Sequence, residues 1–309
     1  MNFFKHLYKN TELGFYIFKP FVRIFQFFQL KKYLSTLAYV KWDATRRLNY
    51  TPNLLDPKTY CEKLSWLKIY HTTPKMGKFA DKLLVREYVK EKIGEKYLVP
   101  LYFVTEDPKK IIPDNLPDYP VIIKATHNSS GGVIIRDKND PKINWKRIQN
   151  NLRWNLSENY YWNGRESQYK HLKPRIIVEK LLTDNRGEVP SDYKLHYFNG
   201  KLAFLNIDFD RSKVHKTTLY DPNWNHIDCA FIGYPMGKVL PKPDCFDELV
   251  QIGSKLAKEF ICIRVDFYIL GAQIYFGELT FHHNGGFDLF EPLEYDRKFG
   301  DLLDLSTLR

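Results

Sequence analysis

The sequence predicts an α+β protein in which helices alternate with antiparallel hairpins, not with single parallel strands. Three observations carry that expectation. Asn199-Gly200 separates two strand-like runs, Tyr193–Phe198 and Lys201–Asp208, and Asn-Gly is the preferred pair for a two-residue type I′ turn. A second pair of runs, Ile261–Ile269 and Gln273–Phe281, turns at Gly271. Between the two hairpins, Cys245–Phe260 reads as a helix, with Asp244 placed to cap it.

The remaining elements follow along the chain. Residues 1–50 look helical, basic and aromatic, and Thr51-Pro52-Asn53 and Asp56-Pro57 end that pattern. Within it, the stretch Gly14–Leu30 is interrupted by Lys19, Pro20 and Arg23, so it is too short and too charged to span a bilayer. Phe21, Ile24, Phe25 and Phe28 recur at helical spacing with Arg23, Lys31 and Lys32 nearby, which suits a membrane surface. The simpler expectation is that these aromatics pack against the main domain. A short helix is expected over Glu62–His71. A longer one is expected over Lys78–Ile93, with Phe79, Leu83 and Tyr88 on its apolar side and Gly94 at its end. Tyr97–Val104 reads as a strand. Val121–Lys124 reads as a buried strand leading through the polar loop Ala125–Gly132 into a return strand, Val133–Arg136. Residues 143–156 are expected to be helical and Arg175–Leu182 to be a β run.

Composition narrows the function classes. The chain has 309 residues, enough for one large or a few smaller domains, and its 44% hydrophobic and 27% charged residues are those of a globular protein. Cys61, Cys229, Cys245 and Cys262 form no CxxC pair, which argues against a zinc site or a disulfide framework and fits reduced thiols in a cytoplasm. The net charge of +11 favours anionic partners without choosing among them. The basic residues form no long run, so nucleic acid is not expected to be a partner.

Three constellations could carry chemistry. On the second hairpin, alternation sends Ile261, Ile263, Val265 and Phe267 to one face and Arg264 and Asp266 to the other. Glu278 and Thr280 share a face of the partner strand. With a three-residue loop, Asp266 and Glu278 would stand directly opposite each other. Facing carboxylates repel. Either a Mg²⁺ lies between them, with Arg264 near a phosphate or a developing oxyanion, or Arg264 neutralises both acids as a salt bridge. The second feature is Lys124, which closes a strand before Ser129-Ser130-Gly131-Gly132. Such a loop can grip phosphate, although it is not a Walker A motif. His127 in this loop is a further candidate for phosphate or substrate contact, against a default of simple solvent exposure. The third is Glu179-Lys180, at the end of a strand whose backbone could meet an adenine edge.

Taken in order, these pieces resemble the ATP-grasp superfamily, which includes the D-alanine–D-alanine ligases. The resemblance begins at Asp81-Lys82-Leu83-Leu84, on the helix before the nucleotide domain, and continues at Pro120-Val121-Ile122-Ile123-Lys124 and its Ser/Gly loop. Val178-Glu179-Lys180-Leu181-Leu182 is similar to the family's adenine hinge. Arg264-Val265-Asp266 and Gly277-Glu278-Leu279-Thr280 resemble its metal-binding hairpin. The TupA-like branch is the closer match, through Glu62-Lys63-Leu64-Ser65-Trp66, Lys173-Pro174-Arg175, Asp192-Tyr193-Lys194, Phe198-Asn199-Gly200 and Tyr275–Phe281.

The resemblance implies two α+β subdomains clasping ATP, within an ATP-grasp domain at 56–309 preceded by a helical extension at 1–55. The cleft would lie between about 95–182 and 183–302. It implies ATP and Mg²⁺ as cofactors, with Asp266 and Glu278 on the metal. Lys82 and Lys124 would hold phosphates, together with His127, Ser129, Ser130 and Gly131. Glu179, Lys180, Leu181 and Leu182 would read adenine, and Asp192 the ribose. Arg264 would stabilise charge at the reacting centre, and Lys194 would point into the cleft as a second catalytic candidate. Where most members have Asn two residues after the last acid, this chain has Thr280, a poorer magnesium ligand, which puts the number of metals in question. Asn284 or water could complete the site.

The implied reaction is ATP-dependent amide formation through an acylphosphate. Its partners would be a uronic-acid-containing glycan or lipid-linked precursor and an amino acid or amine, with peripheral contact at the inner membrane face. A glycosyltransferase, a phosphotransferase and a basic scaffold of polysaccharide assembly are the other readings. Asp208-Phe209-Asp210 has the spacing of a sugar-nucleotide metal motif but sits at the end of a hairpin strand.

Overall fold

The computed structural model describes residues 11–27, 34–129, 132–209 and 214–308. The chain divides into two compact units. The first comprises residues 1–35, 100–164 and 169–181. The second comprises residues 36–99, 165–168 and 182–309.

In the first unit, β1 (Leu101–Thr105), β2 (Val121–Ala125), β3 (Val133–Ile135) and β4 (Ile176–Lys180) form an antiparallel sheet in the order β1-β4-β2-β3. β2 alternates buried and half-buried residues, whereas β4 is buried on both sides up to Glu179, as its run of Ile and Val requires. Val121, Ile123, Ile176 and Val178 form the core with Leu152 of the helix Trp145–Ser157, whose start is capped by the side chain of Asn144. The helix Glu12–Phe27 packs on Trp145–Ser157.

In the second unit, β5 (Asp192–Phe198), β6 (Lys201–Phe209), β7 (Lys216–Tyr220) and β8 (His226–Ile227) join β10 (Cys262–Leu270) and β11 (Gln273–Thr280) in a six-stranded sheet ordered β11-β10-β5-β6-β7-β8. β9 (Ala230–Phe231) pairs with β12 (Phe290–Glu291). The Asn199-Gly200 turn joins Phe198 to Lys201 with both φ angles positive, at 48° and 78°, as type I′ requires. One sheet face is apolar. Leu195, Tyr197, Leu205, Ile207, Ile263, Val265 and Phe267 pack there under the helix Phe246–Ala257 and the helix Val85–Lys92. The other face is apolar only at one end, where Phe198, Phe204 and Leu219 meet the helices Tyr60–Tyr70 and Glu294–Leu302. The helix Tyr60–Tyr70 starts at a full capping box between Thr59 and Glu62.

Several expectations change. The helix expected over Lys78–Ile93 is two helices, Pro74–Ala80 and Val85–Lys92. Buried Asp81 breaks it, because its Oδ1 accepts from the backbone N–H of Leu83 (2.8 Å) and Leu84 (3.0 Å) and turns the chain there. Lys82 therefore sits on a turn, not on a helix. The strand expected from Tyr97 begins only at Leu101, after a 3₁₀ turn over Glu95–Tyr97. The cap of the helix Phe246–Ala257 is Cys245, without a side-chain bond, so Asp244 does not serve there. Ile261 lies outside β10 and packs with the cluster opposite Ile263, not with it.

The metal-hairpin loop also differs. Leu270 pairs with Gln273, so the turn has two residues, with Gly271 at φ 60°. The register then shifts between Asp266 and Phe267, where Gly277 is the extra residue of a bulge. A Cβ at Gly277 would come within 3.1 Å of the Asp266 carbonyl oxygen, so the bulge is closely fitted to the facing strand. Asp266 is opposite Glu278, but the bulge, not a longer loop, produces that pairing.

Candidate active site

The polar face of the second unit is built by alternation. β5 contributes Asp192, Lys194 and His196, and β6 contributes Asn206 and Asp208. β10 contributes Arg264 and Asp266, and β11 contributes Glu278 and Thr280. Cross-strand register places Asp266 between Lys194 and Glu278, and Arg264 between His196 and Thr280. All except Glu278 and Thr280 are buried. Buried charges persist only when paired, and here they are.

The Arg264 guanidinium donates to both Asp266 oxygens, Nε to Oδ1 at 2.6 Å and Nη2 to Oδ2 at 2.7 Å. The same Nη2 donates to Glu278 Oε1 at 2.8 Å and Thr280 Oγ1 at 3.0 Å. Lys194 Nζ donates to Asp266 Oδ2 at 2.6 Å and lies 3.6 Å from Asp192 and 3.8 Å from Asp208. Burial works against ionisation of these groups, and the partners outweigh it. Asp266 is held below the usual carboxylate range by Arg264 and Lys194, and Lys194 is held above its ordinary value by Asp266 and Asp192. Glu278 is also lowered, despite its partial desolvation and the neighbouring Asp266, by Arg264 and then by Lys82. Lys82 is thus close enough to act on the acid pair within this unit.

The Arg264 bridge, one of the two alternatives for the facing acids, is present. Among the described residues no group of three or more His, Cys, Asp or Glu is arranged to hold a metal ion. Asp266 has both oxygens engaged. Glu278 has a side chain 36% exposed, and its Oε2 takes none of the bonds just described. One or two carboxylates suffice for Mg²⁺, which keeps several waters and takes phosphate oxygens. The donor set therefore fits a cation entering at Glu278, with Asp266 joining it if Lys194 or Arg264 turns toward an anion.

In the first unit, Lys124 Nζ meets Glu179 Oε2 at 3.2 Å, across neighbouring strands β2 and β4. Gly132 covers this lysine: a Cβ there would lie 3.5 Å from Lys124 Cγ and 3.1 Å from Ile122 Cδ1. The N–H of Lys180 donates to Pro100 O and that of Leu181 to Pro120 O, both at 2.9 Å. Those two donors are committed to the sheet, and Lys180 points its side chain to solvent. Leu182 is buried and belongs to the second unit. His127 is not the exposed loop histidine taken as the default. It is 2% exposed, and Nε2 lies 3.2 Å from the carbonyls of both Asn155 and Glu158, tying the loop to a helix end. Ser129 is exposed, and Ser130 and Gly131 lie outside the described residues.

Of the other polar residues on the same sheet face, Asn206 and Thr217 were not singled out from sequence. Asn206 donates Nδ2 to Asp208 Oδ1 at 2.9 Å, so its Oδ1 faces His196 Nε2, also at 2.9 Å. Nε2 of His196 therefore carries the proton, leaving Nδ1 to accept from Tyr60 Oη at 3.4 Å. Burial keeps His196 well below its ordinary pKa, hence neutral. Asp208 also accepts from Thr217 and contacts His215 Nε2 at 3.2 Å. Its partners are those of a buried strand residue in a polar network, and Asp210 lies outside the described residues. Asn206 and Asp208 alternate with Leu205 and Ile207, a period-two signal of a polar inner face that the sequence does contain. A second buried group, Lys68, Glu166, Gln168 and His282, has no such signal, since only Glu166 and Gln168 are close in sequence.

The chain is similar in structure to a D-alanine–D-alanine ligase from Bacillus anthracis complexed with ATP, with 14% identity over 80% of this chain and 68% of that one and a TM-score of 0.44. It is similar to an L-amino acid ligase from Bacillus licheniformis, at 12% identity over 79% and 54% of the two chains and a TM-score of 0.44. It also resembles the ATP-grasp ligase PsnB complexed with a minimal precursor, at 11% identity over 71% and 59% and a TM-score of 0.39. The chain spans 56% of the length of another Bacillus anthracis D-alanine–D-alanine ligase structure. No curated protein matches the sequence. The family model of the TupA-like ATP-grasp proteins matches residues 62–304, and the chain belongs to that family.

Proposed function

We propose that the protein is an ATP-dependent carboxylate–amine ligase that joins an amino acid or other amine to a carboxylate of a cell-surface polysaccharide or its precursor, a uronic acid in the first instance. The observation that carries this reading is the pair Asp266 and Glu278, held opposite each other on a buried face with Arg264, Lys194 and Lys82 around them.

In this reading Lys82 and Lys124 bind phosphates, with Ser129 to Gly131 closing over them. Glu179 and Asp192 face the nucleoside, and the base edge is met from Leu182 onward, since the N–H groups of Lys180 and Leu181 are already used. Glu278 and Asp266 would hold Mg²⁺, which would supply positive charge to neutralise phosphate oxygens. The carboxylate substrate attacks the γ-phosphorus, the bond to the β-phosphate oxygen breaks, and ADP leaves. The amine then adds to the acylphosphate carbonyl, loses a proton and expels phosphate. Arg264 and Lys194 are the cations placed to stabilise charge at the reacting centre.

The test is ADP release from Mg-ATP across a matrix of uronic acids and amino acids, with hydroxylamine as a trap for any acylphosphate. Amine-dependent ADP release together with a new amide supports the ligase. ADP release without any amine requirement would favour a phosphotransferase, and consumption of a sugar nucleotide without ADP release would favour a glycosyltransferase.

A further inference from the structure

The helix Glu12–Phe27 is apolar on two opposite sides, and only one of them is covered. Phe15 is 1% exposed and faces inward, with Arg153 of the helix Trp145–Ser157 above its ring. At 3.6 residues per turn, Leu13, Tyr16, Ile17, Phe21 and Ile24 fall within an arc of about 140° on the side away from Phe15. These five side chains are between 47% and 72% exposed, and Pro20, within the same arc, is exposed as well. Scattered apolar residues on a surface need no explanation, but a contiguous row of five large ones along one helix does.

Charge indicates what covers it. Residues 1–35 carry six lysines and arginines against a single acid, Glu12, within a chain of net charge +11. Lys19 lies over the Phe15 ring at 4.7 Å, and Arg153 lies over Tyr16 at 5.7 Å, so cations flank the helix in the folded unit. Among the described residues no helix is long and apolar enough to cross a membrane. An exposed apolar arc bordered by cations, with an aromatic ring at its margin, is the pattern of a helix lying in the plane of an anionic bilayer. A second copy of a strongly basic chain would bring like charges together around the same face, which disfavours self-association there.

We infer that Glu12–Phe27 docks the protein on the surface of an anionic phospholipid bilayer through Leu13, Tyr16, Ile17, Phe21 and Ile24. This goes beyond the ligase reading and does not depend on it, because binding needs no nucleotide. The full chain should sediment with phosphatidylcholine–phosphatidylglycerol vesicles, and only weakly with phosphatidylcholine alone or at high salt. The variant L13Q/I17Q/F21Q/I24Q, altered only at exposed positions, should keep its circular dichroism spectrum and lose at least about a thousandfold in partitioning, because each of the four side chains contributes about a decade when buried. Hydrogen exchange at residues 13–24 should slow on vesicle addition. Equal sedimentation of the variant and the parent, or no sedimentation with anionic vesicles, overturns the inference. A dimer that the variant dissolves, in place of vesicle binding, also overturns it and makes this face an interface between copies.

Discussion

The two units each hold a lysine–carboxylate pair, and they hold it differently. In the first, Lys124 meets Glu179 through one contact of 3.2 Å, with the lysine side chain 26% exposed. In the second, Asp266 accepts three bonds of 2.6 to 2.7 Å from two cations inside a buried network. The difference is one of cost. A single, partly solvated pair is worth about 0–1 kcal/mol and can exchange one partner for an anion with little loss. A buried, multiply bonded pair cannot release one member without leaving a charge stranded. The first arrangement suits a residue that must turn to a ligand, and the second suits a platform fixed before any ligand arrives.

The sharpest way to break that comparison is Asp266→Ala. It strands Arg264 and Lys194 in the interior, and the expected loss is about 3–5 kcal/mol in a chemical denaturation experiment. Glu278→Ala should separate stability from chemistry. Its side chain lies at the exposed margin of the network and Arg264 keeps Asp266, so stability should change by about 1 kcal/mol or less while ADP release is abolished. Lys124→Ala should be smaller still in stability, within about 1 kcal/mol, but should remove the thermal shift given by Mg-ATP. Full activity in both of the last two variants would remove these residues from the site.

Acid should act on the buried network of the second unit. Asp266 and Glu278 have folded pKa values below their ordinary 3.8 and 4.5, so their stabilising contribution is present above those values. It is lost as pH falls through the lower, folded values. The acid limb of the parent's stability curve should therefore be steeper than that of Asp266→Asn. Lys68 acts at the alkaline end, with a slope of the same sign. Burial pushes its amine down to about 8, against 10.5 in the unfolded chain. The unfolded state binds more protons between those values, so the parent should gain stability relative to Lys68→Met as pH rises from 8 to 10.5.

Sequence was informative where one local rule decides the outcome. Asn199-Gly200 could form little other than a type I′ turn, and Val121–Lys124 and Ile176–Val178 carry enough branched apolar residues to be buried strands. The facing of Asp266 and Glu278 was expected from a three-residue loop, and arises instead from a two-residue turn and the bulge at Gly277. What sequence could not supply was competition between local signals. Asp81 stands in a stretch whose apolar spacing is helical, and its side-chain bonds to Leu83 and Leu84 override that spacing. His127 looked exposed because its neighbours are polar, and only the distant end of Trp145–Ser157 explains its burial. The bond from Lys194 to Asp266 was equally out of reach, because its donor comes from a strand some seventy residues earlier.

The bulge at Gly277 has a consequence for how the hairpin tolerates changes in length. With a two-residue turn and no extra residue, simple pairing would set Glu278 opposite Val265 and aim its carboxylate at the apolar core. Gly277 shifts the count by one and returns the acid to the polar face. Loss of Gly277 itself would leave a regular ladder with the acid still opposite Asp266. Loss of one residue from Gln273 to Tyr275 would use up the bulge to keep the acid opposite Asp266, and would send Phe276 to the polar face. The glycine is thus the position before the acid at which a deletion neither moves the carboxylate nor costs the core an apolar residue.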